Sequence, residues 1–231
     1  MLMPPFRGLI NRSARRFRLR KFNEKNISYR QKLFNKKNFR RWSIVSRKIV
    51  VLNGSPRPKG NTSALVEEFS RGAREVGCEV EIFFLDKMNI HGCKGCFGGG
   101  KNPEHPCVQR DDMEKIYPAY KAADVVVLAT PLYYWNFSGQ LRTAFDRLFA
   151  VAECDPNLAN PKKESVLLMA AEGYGFDDAL TYYQNLMKHL GWTERGHVLA
   201  GGVFKVGDIK GHKELNEAYE LGKAIAKGNG L

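Results

Sequence analysis

The sequence predicts an α/β domain in which one parallel sheet of five strands, in the order 2-1-3-4-5, is covered by helices on both faces. Two observations carry this prediction. From Lys48 onward, short β-branched runs alternate with stretches whose apolar residues recur at helical spacing. Three of the loops that follow those runs are crowded with Gly, Ser, Asn or aromatic residues, as expected where a doubly wound sheet binds its ligand outside the carboxyl ends of its strands.

Taken in order, the strands are expected at 48–52, 79–85, 124–130, 165–171 and 196–203. After the first, Leu65, Val66, Phe69, Ala73 and Val76 form one helical stripe. A short helix is expected to begin near Asp111 and Asp112, whose charges suit a helix N-terminus. Leu141, Phe145, Leu148 and Phe149 make the stripe after the third strand, and Leu180, Tyr183, Met187 and Leu190 the one after the fourth. Leu215, Ala218, Tyr219, Gly222 and Ile225 close the series.

At 231 residues and 43% hydrophobic the chain can bury one substantial core, and no apolar run approaches the roughly 18 residues needed to span a membrane. The formal charge of +13 is very unevenly placed. Residues 1–47 hold 15 Lys and Arg against the single acid Glu24, a net of +14, whereas the remaining residues hold 22 basic and 23 acidic side chains, a net of −1. Residues 1–46 are therefore set apart as a basic extension without periodicity, expected to be disordered, and residues 47–231 as the folded domain. Three readings of the extension stay open: a targeting peptide, an arm for nucleic acid or membrane, and a segment outside the natural start, which is the favoured one. Five cysteines give no paired framework and no secretory segment is visible, so the expected home is the reducing cytoplasm.

The loop after the first strand runs Gly54-Ser55-Pro56-Arg57-Pro58-Lys59-Gly60-Asn61-Thr62-Ser63 into an amphipathic helix. A phosphate monoester needs backbone N–H donors at a helix N-terminus, hydroxyl donors and a cation. Glycines for the tight path, hydroxyls at Ser55, Thr62 and Ser63, the Asn61 amide and the Arg57 charge supply that set. The glycine spacing matches neither G-x-x-x-x-G-K-[ST] nor G-x-G-x-x-G, which disfavours triphosphate hydrolysis and a dinucleotide fold. The same residues also suit an ordinary turn with an N-cap at Asn61 or Thr62. After the third strand, Pro131-Leu132-Tyr133-Tyr134-Trp135-Asn136-Phe137 places aromatics at a strand end, where they line a slot for a flat ring. Glu172-Gly173-Tyr174-Gly175 follows the fourth strand. A ring system with a phosphate tail, a flavin mononucleotide (FMN), satisfies all three loops.

On these motifs, residues 46–227 resemble the NAD(P)H-dependent FMN reductase group of flavodoxin-like flavoproteins. The resemblance rests on Gly54-Ser55-Pro56-Arg57 with Gly60-Asn61-Thr62, on Pro131 to Tyr134 with Ser138-Gly139, Leu141-Arg142 and Asp146-Arg147, and on Gly207-Asp208-Ile209, Gly211-His212 and Ala218 to Lys223. It implies a flavodoxin-like three-layer sandwich. Ser55, Arg57, Asn61, Thr62 and Ser63 would hold the FMN phosphate, Pro131, Leu132, Tyr133 and Tyr134 would meet the isoalloxazine, and Glu172 and Gly173 would lie near its pyrimidine edge. Arg142, Asp146 and Arg147 read as structural, an Asp–Arg pair bracing a loop or a subunit contact. The implied activity is hydride transfer from NADH or NADPH to FMN and onward to a flavin, quinone, nitro or azo acceptor, in a homodimer or homotetramer, with no catalytic side chain required. A flavodoxin-type electron carrier and a flavin-binding protein without turnover are the alternatives. A nucleic-acid or membrane protein led by its basic arm is a third.

One loop departs from part of the resemblance. Related iron–sulfur flavoproteins carry four clustered cysteines after the second strand, the third following the second after two residues. Here Cys93-Lys94-Gly95-Cys96 has Gly99 at that place, and the next thiol is Cys107. Three thiolates are one short of a cluster's four. Zinc on Cys93, Cys96, His105 and Cys107 and a reversible Cys93–Cys96 dithiol are alternatives to the expected reading, a loop with free thiols. His91, His189, His197 and His212 have no partner at a telling spacing and read as structural.

Overall fold

The computed structural model describes residues 46–226. The expectation for the basic extension, residues 1–45, lies outside them. The elements are β1 (Lys48–Asn53), α1 (Asn61–Glu75), β2 (Glu79–Phe84), α2 (Met113–Ala122), β3 (Val125–Tyr133), β4 (Asn136–Phe137), α3 (Gly139–Arg147), α4 (Phe149–Ala152), β5 (Glu164–Ala170), α5 (Asp177–Leu190), β6 (Thr193–Ala200) and α6 (Lys213–Ile225). A single 3₁₀ turn, Leu85–Lys87, follows β2.

The main sheet runs β2-β1-β3-β5-β6, all parallel, the predicted order once the short β4 is set aside. Alternation along the central strands divides the apolar side chains between two cores. Ile49, Val51, Val127 and Leu168 face α1 and α6, while Val50, Leu52, Leu128 and Leu167 face α2, α3 and α5. On the first face α1 and α6 approach almost backbone to backbone. A Cβ at Gly72 would fall on the Tyr219 carbonyl oxygen, and one at Gly222 on the Phe69 carbonyl oxygen.

Four boundaries differ from expectation, the first being β3, which runs past residue 130 to Tyr133 because Pro131 pairs with β5 and Leu132 and Tyr133 with β4. The last strand begins at Thr193, not at residue 196, and ends at Ala200. It is the sheet edge, so its polar start, Thr193-Glu194-Arg195, is tolerated, and the Gly201-Gly202 turn stops it before Val203. The stripe at residues 141–149 is broken at Leu148 into α3 and α4. Residues 136–137, expected as loop, fold back as β4 against the end of β3, pairing Leu132 with Phe137 and Tyr133 with Asn136.

Candidate active site

The loop between β1 and α1 is held open by its own side chains. Asn53 Oδ1 accepts the Ser55 N–H (3.0 Å), Ser55 Oγ accepts the Arg57 N–H (3.2 Å), and Ser63 Oγ donates to the Arg57 carbonyl (3.0 Å). Gly60, with extended backbone, is the N-cap of α1, and no side chain caps the helix. Among the described residues the N–H groups of Asn61, Thr62 and Ser63 find no acceptor, so a ready anion site faces the cleft. Ser55, Arg57, Gly60, Asn61 and Thr62 line that cleft, which encloses about 240 Å³.

The site residues do not all face the same way. Asn61 spends its amide as a brace: Nδ2 donates to the Lys205 carbonyl (3.0 Å), and Oδ1 accepts the Gly207 and Ile209 N–H groups (3.2 and 3.4 Å). Its backbone N–H is the group left for a ligand. Ser63 is likewise turned to Asn53 and Arg57, away from the cleft lining. Arg57 donates to the Phe204 carbonyl (3.2 Å) at the exposed rim.

A second, wider compartment of about 470 Å³ adjoins the first, sharing Leu132, Tyr133, Ala171 and Glu172 with it. Its far wall is Tyr134, Trp135, Gly173 and Gly175, and it is largely apolar. Tyr134 and Trp135 are the two central residues of the β3–β4 hairpin, and both have positive φ (48° and 57°), as a two-residue turn of the I′ kind demands. Bulky aromatics rarely accept that conformation, and here they stand out from the surface, Tyr134 94% exposed. Of the residues expected to meet a flavin, Pro131, Leu132 and Tyr133 line both or the first compartment, Tyr134 and Gly173 the second, and Glu172 both. FMN fits the donor set: unsatisfied helix N–H groups, hydroxyls and a cation at one end, an apolar slot with aromatic walls at the other.

The parts played by three residues escaped the sequence reading, which had Ser138 only as a motif residue and Val203 only as a strand end. Ser138 caps α3, accepting the Leu141 N–H (3.4 Å), and donates to the Gly54 carbonyl (2.8 Å), which locks the aromatic loop to the phosphate-type loop. A Cβ on Gly54 would lie 2.6 Å from Ser138 Oγ, so that lock needs glycine. Val203 and Phe204, from the loop after β6, close one side of the cleft. Gly201, Gly202, Gly207 and Gly211 mark a turn-rich loop there, but no local pattern points it at the cleft.

Arg147 does brace a loop, though its acid is Asp111 and not Asp146. The ion pair is bidentate (2.6 and 3.2 Å), both side chains are fully buried, and Arg147 also donates to the His91 carbonyl (2.8 Å). Burial pushes the Asp111 carboxyl up, but hydrogen bonds from Arg147 and from the His91 and Met113 N–H groups outweigh it and hold the carboxyl below its usual range.

Residues 47–210 match the family profile for NADPH-dependent FMN reductase. An iron–sulfur flavoprotein of Archaeoglobus fulgidus is 31% identical over 78% of this chain and 79% of its own. Another, from Methanosarcina thermophila, is 35% identical over 43% of this chain, a match that spans about half the relative's length (51%). Among solved structures, the NAD(P)H:quinone oxidoreductase from Methanothermobacter marburgensis superposes with a TM-score of 0.59 at 17% identity, over 78% of this chain and 99% of that one. That likeness shows the flavodoxin-like fold. By profile, relatives and fold together, the chain belongs to the NADPH-dependent FMN reductase family of flavin-dependent oxidoreductases.

Proposed function

We propose that this protein binds FMN in the two-compartment cleft and uses it to pass hydride from NADH or NADPH to a small planar acceptor. The observation that carries the reading is the pairing of an uncapped helix N-terminus with an adjoining apolar, aromatic-walled slot at the carboxyl ends of β1, β3 and β5. Bound FMN supplies the hydride chemistry itself.

The chain's part is to hold and orient. The Asn61, Thr62 and Ser63 N–H groups, the Ser55 and Thr62 hydroxyls and Arg57 would bind the phosphate. Pro131 to Tyr134 would line the ring, with Glu172 and Gly173 at its edge. Ser138 fixes the distance between those two sets by tying their loops together. The open side of the slot, walled by Trp135, admits a second flat molecule against the ring, where nicotinamide and acceptor would take turns. A quinone, a free flavin or a nitro or azo aromatic has the required shape, and a quinone is what the archaeal structural neighbour's name specifies. We place the protein in a reducing cytoplasm, since all five cysteines are free, and expect a homo-oligomer, read by light scattering.

The test is an absorbance spectrum of the purified full-length protein, followed anaerobically as NADH and then NADPH is added. Twin flavin bands that bleach support the proposal and name the donor. Bands that persist point to an electron carrier or a storage protein, and a colourless protein that cannot be reconstituted with FMN overturns it.

A further inference from the structure

Relatives of this chain are named for an iron–sulfur centre, and the loop after β2 carries thiols where such a centre would be sought. We infer that in this chain the loop is a packed strap and holds no cluster. A cluster of the ferredoxin type takes four cysteine thiolates. The loop offers Cys93, Cys96 and Cys107. Cys78 is buried just before β2, and Cys154 turns its thiol to the Ala150 carbonyl (3.5 Å). Among the described residues no three His, Cys, Asp or Glu side chains converge as metal ligands.

The space that a third clustered cysteine would need is already used. A Cβ at Gly99 would fall on the Glu153 carboxylate and lie 2.8 Å from the Pro106 carbonyl oxygen. A Cβ at Gly100, where φ is +74°, would fall on the Glu153 carbonyl, and one at Gly98 would sit 3.1 Å from a Val108 methyl. Three successive glycines thus let the chain lie flush against residues 106–108 and the end of α4. The Gly100 N–H closes that contact on the Pro106 carbonyl (2.8 Å).

Ordinary contacts anchor the rest of the strap. The Phe97 ring meets Phe149 edge-on at 6.2 Å, Gln109 donates to the Gly92 carbonyl (3.0 Å), Lys121 donates to the Pro103 carbonyl (2.6 Å), and Arg147 holds His91. His105, a possible substitute ligand, is engaged by Glu114. A cavity of about 80 Å³, which the three cysteines share with Phe97, Arg147, Phe149 and Glu153, lies beside them, and Cys93 and Cys96 face solvent. With no cluster on this face, electrons exchange through the cleft alone, a consequence that rests on the flavin reading above; the strap itself does not.

The experiment is anaerobic reconstitution of the full chain with ferrous iron and sulfide, with the Methanosarcina thermophila relative treated in parallel as the positive control. After desalting, iron, sulfide and flavin are counted per chain, the dithionite-reduced sample is examined by electron paramagnetic resonance, and iodoacetamide labelling of Cys93 and Cys96 is read by peptide mass. The expected result is iron and sulfide far below the four of each in a cubane cluster, with labelling of both thiols the same before and after reconstitution. Stoichiometric iron and sulfide with a reduced-cluster signal and protected thiols would overturn the inference. If that iron is lost in Glu153→Ala, Glu153 is the fourth ligand. The flavin count in the same sample reports separately on the proposed function: flavin with a cluster sinks only the strap, and neither flavin nor cluster sinks only the flavin reading.

Discussion

Arg57, in the loop after β1, and Asn61, the first residue of α1, do different work. Arg57 is a cation at the exposed rim, its guanidinium held by a hydrogen bond to the Phe204 carbonyl. A charge-assisted hydrogen bond to phosphate contributes about 1.5–3 kcal/mol, so Arg57→Ala should raise the FMN dissociation constant about 10- to 100-fold. Fluorescence titration of the apoprotein checks this, and circular dichroism should be unchanged. Asn61 is a buried brace with three hydrogen bonds to the loop at residues 205–209. Asn61→Ala leaves those backbone groups without partners and should cost the flavin-free protein about 1–3 kcal/mol in urea unfolding. Arg57→Ala should leave the same midpoint unmoved. If both variants lose only flavin affinity, the brace is wrong.

At the scale of elements the β3–β4 hairpin trades stability for a wall. Tyr134 and Trp135 both adopt left-handed backbone, which costs non-glycine residues about 1–2 kcal/mol each. Trp135→Gly should therefore raise or hold the thermal midpoint while weakening KM for an aromatic acceptor, and a variant that loses both would show that the ring also supports the fold. The contact between α1 and α6 makes the opposite case: Gly72→Ala or Gly222→Ala sets a methyl against a carbonyl on the facing helix and should destabilise by about 1–3 kcal/mol, read by urea midpoints, with no specific loss of flavin affinity. These elements also show what was legible beforehand. The first loop could be read because its residue types restrict backbone and ligand chemistry locally, and the central strands because burial on both faces leaves continuous apolar runs. Ser138 and Phe204 could not, because they act on Gly54 and Arg57 across contacts 84 and 147 residues apart. The aromatic turn does line an apolar compartment, but its positive φ angles go against what Tyr and Trp prefer, and no propensity would have placed a hairpin there. The Asp146–Arg147 dipeptide suggested a local pair, whereas the helix turns Arg147 inward to a partner 36 residues away.

Over the whole molecule, two electrostatic features should separate cleanly. The first is the buried Arg147–Asp111 pair. Because Asp111 has a lower pKa folded than unfolded, its contribution is present above about pH 4, the unfolded carboxyl range, and is lost as pH falls through the folded value. Asp111→Asn breaks a fully buried pair and should cost about 3–5 kcal/mol at pH 7, while narrowing the difference in urea midpoint between pH 7 and about pH 2. The second is the basic extension. Among the described residues, those lining the cleft fall between Ser55 and Phe204; residues 1–47 carry a net +14 and the rest of the chain is nearly neutral, so the extension's charge is the feature to test against polyanions. Deleting residues 1–44 should leave the FMN dissociation constant and NAD(P)H turnover unchanged. Any binding of the full chain to heparin or to anionic vesicles should fall steeply with salt and vanish in the deletion, since that is the behaviour of contacts made by many cations releasing counterions. A loss of flavin affinity on deletion would mean that the extension reaches the cleft, and salt-dependent binding that survives it would move the polyanion contact onto the folded domain.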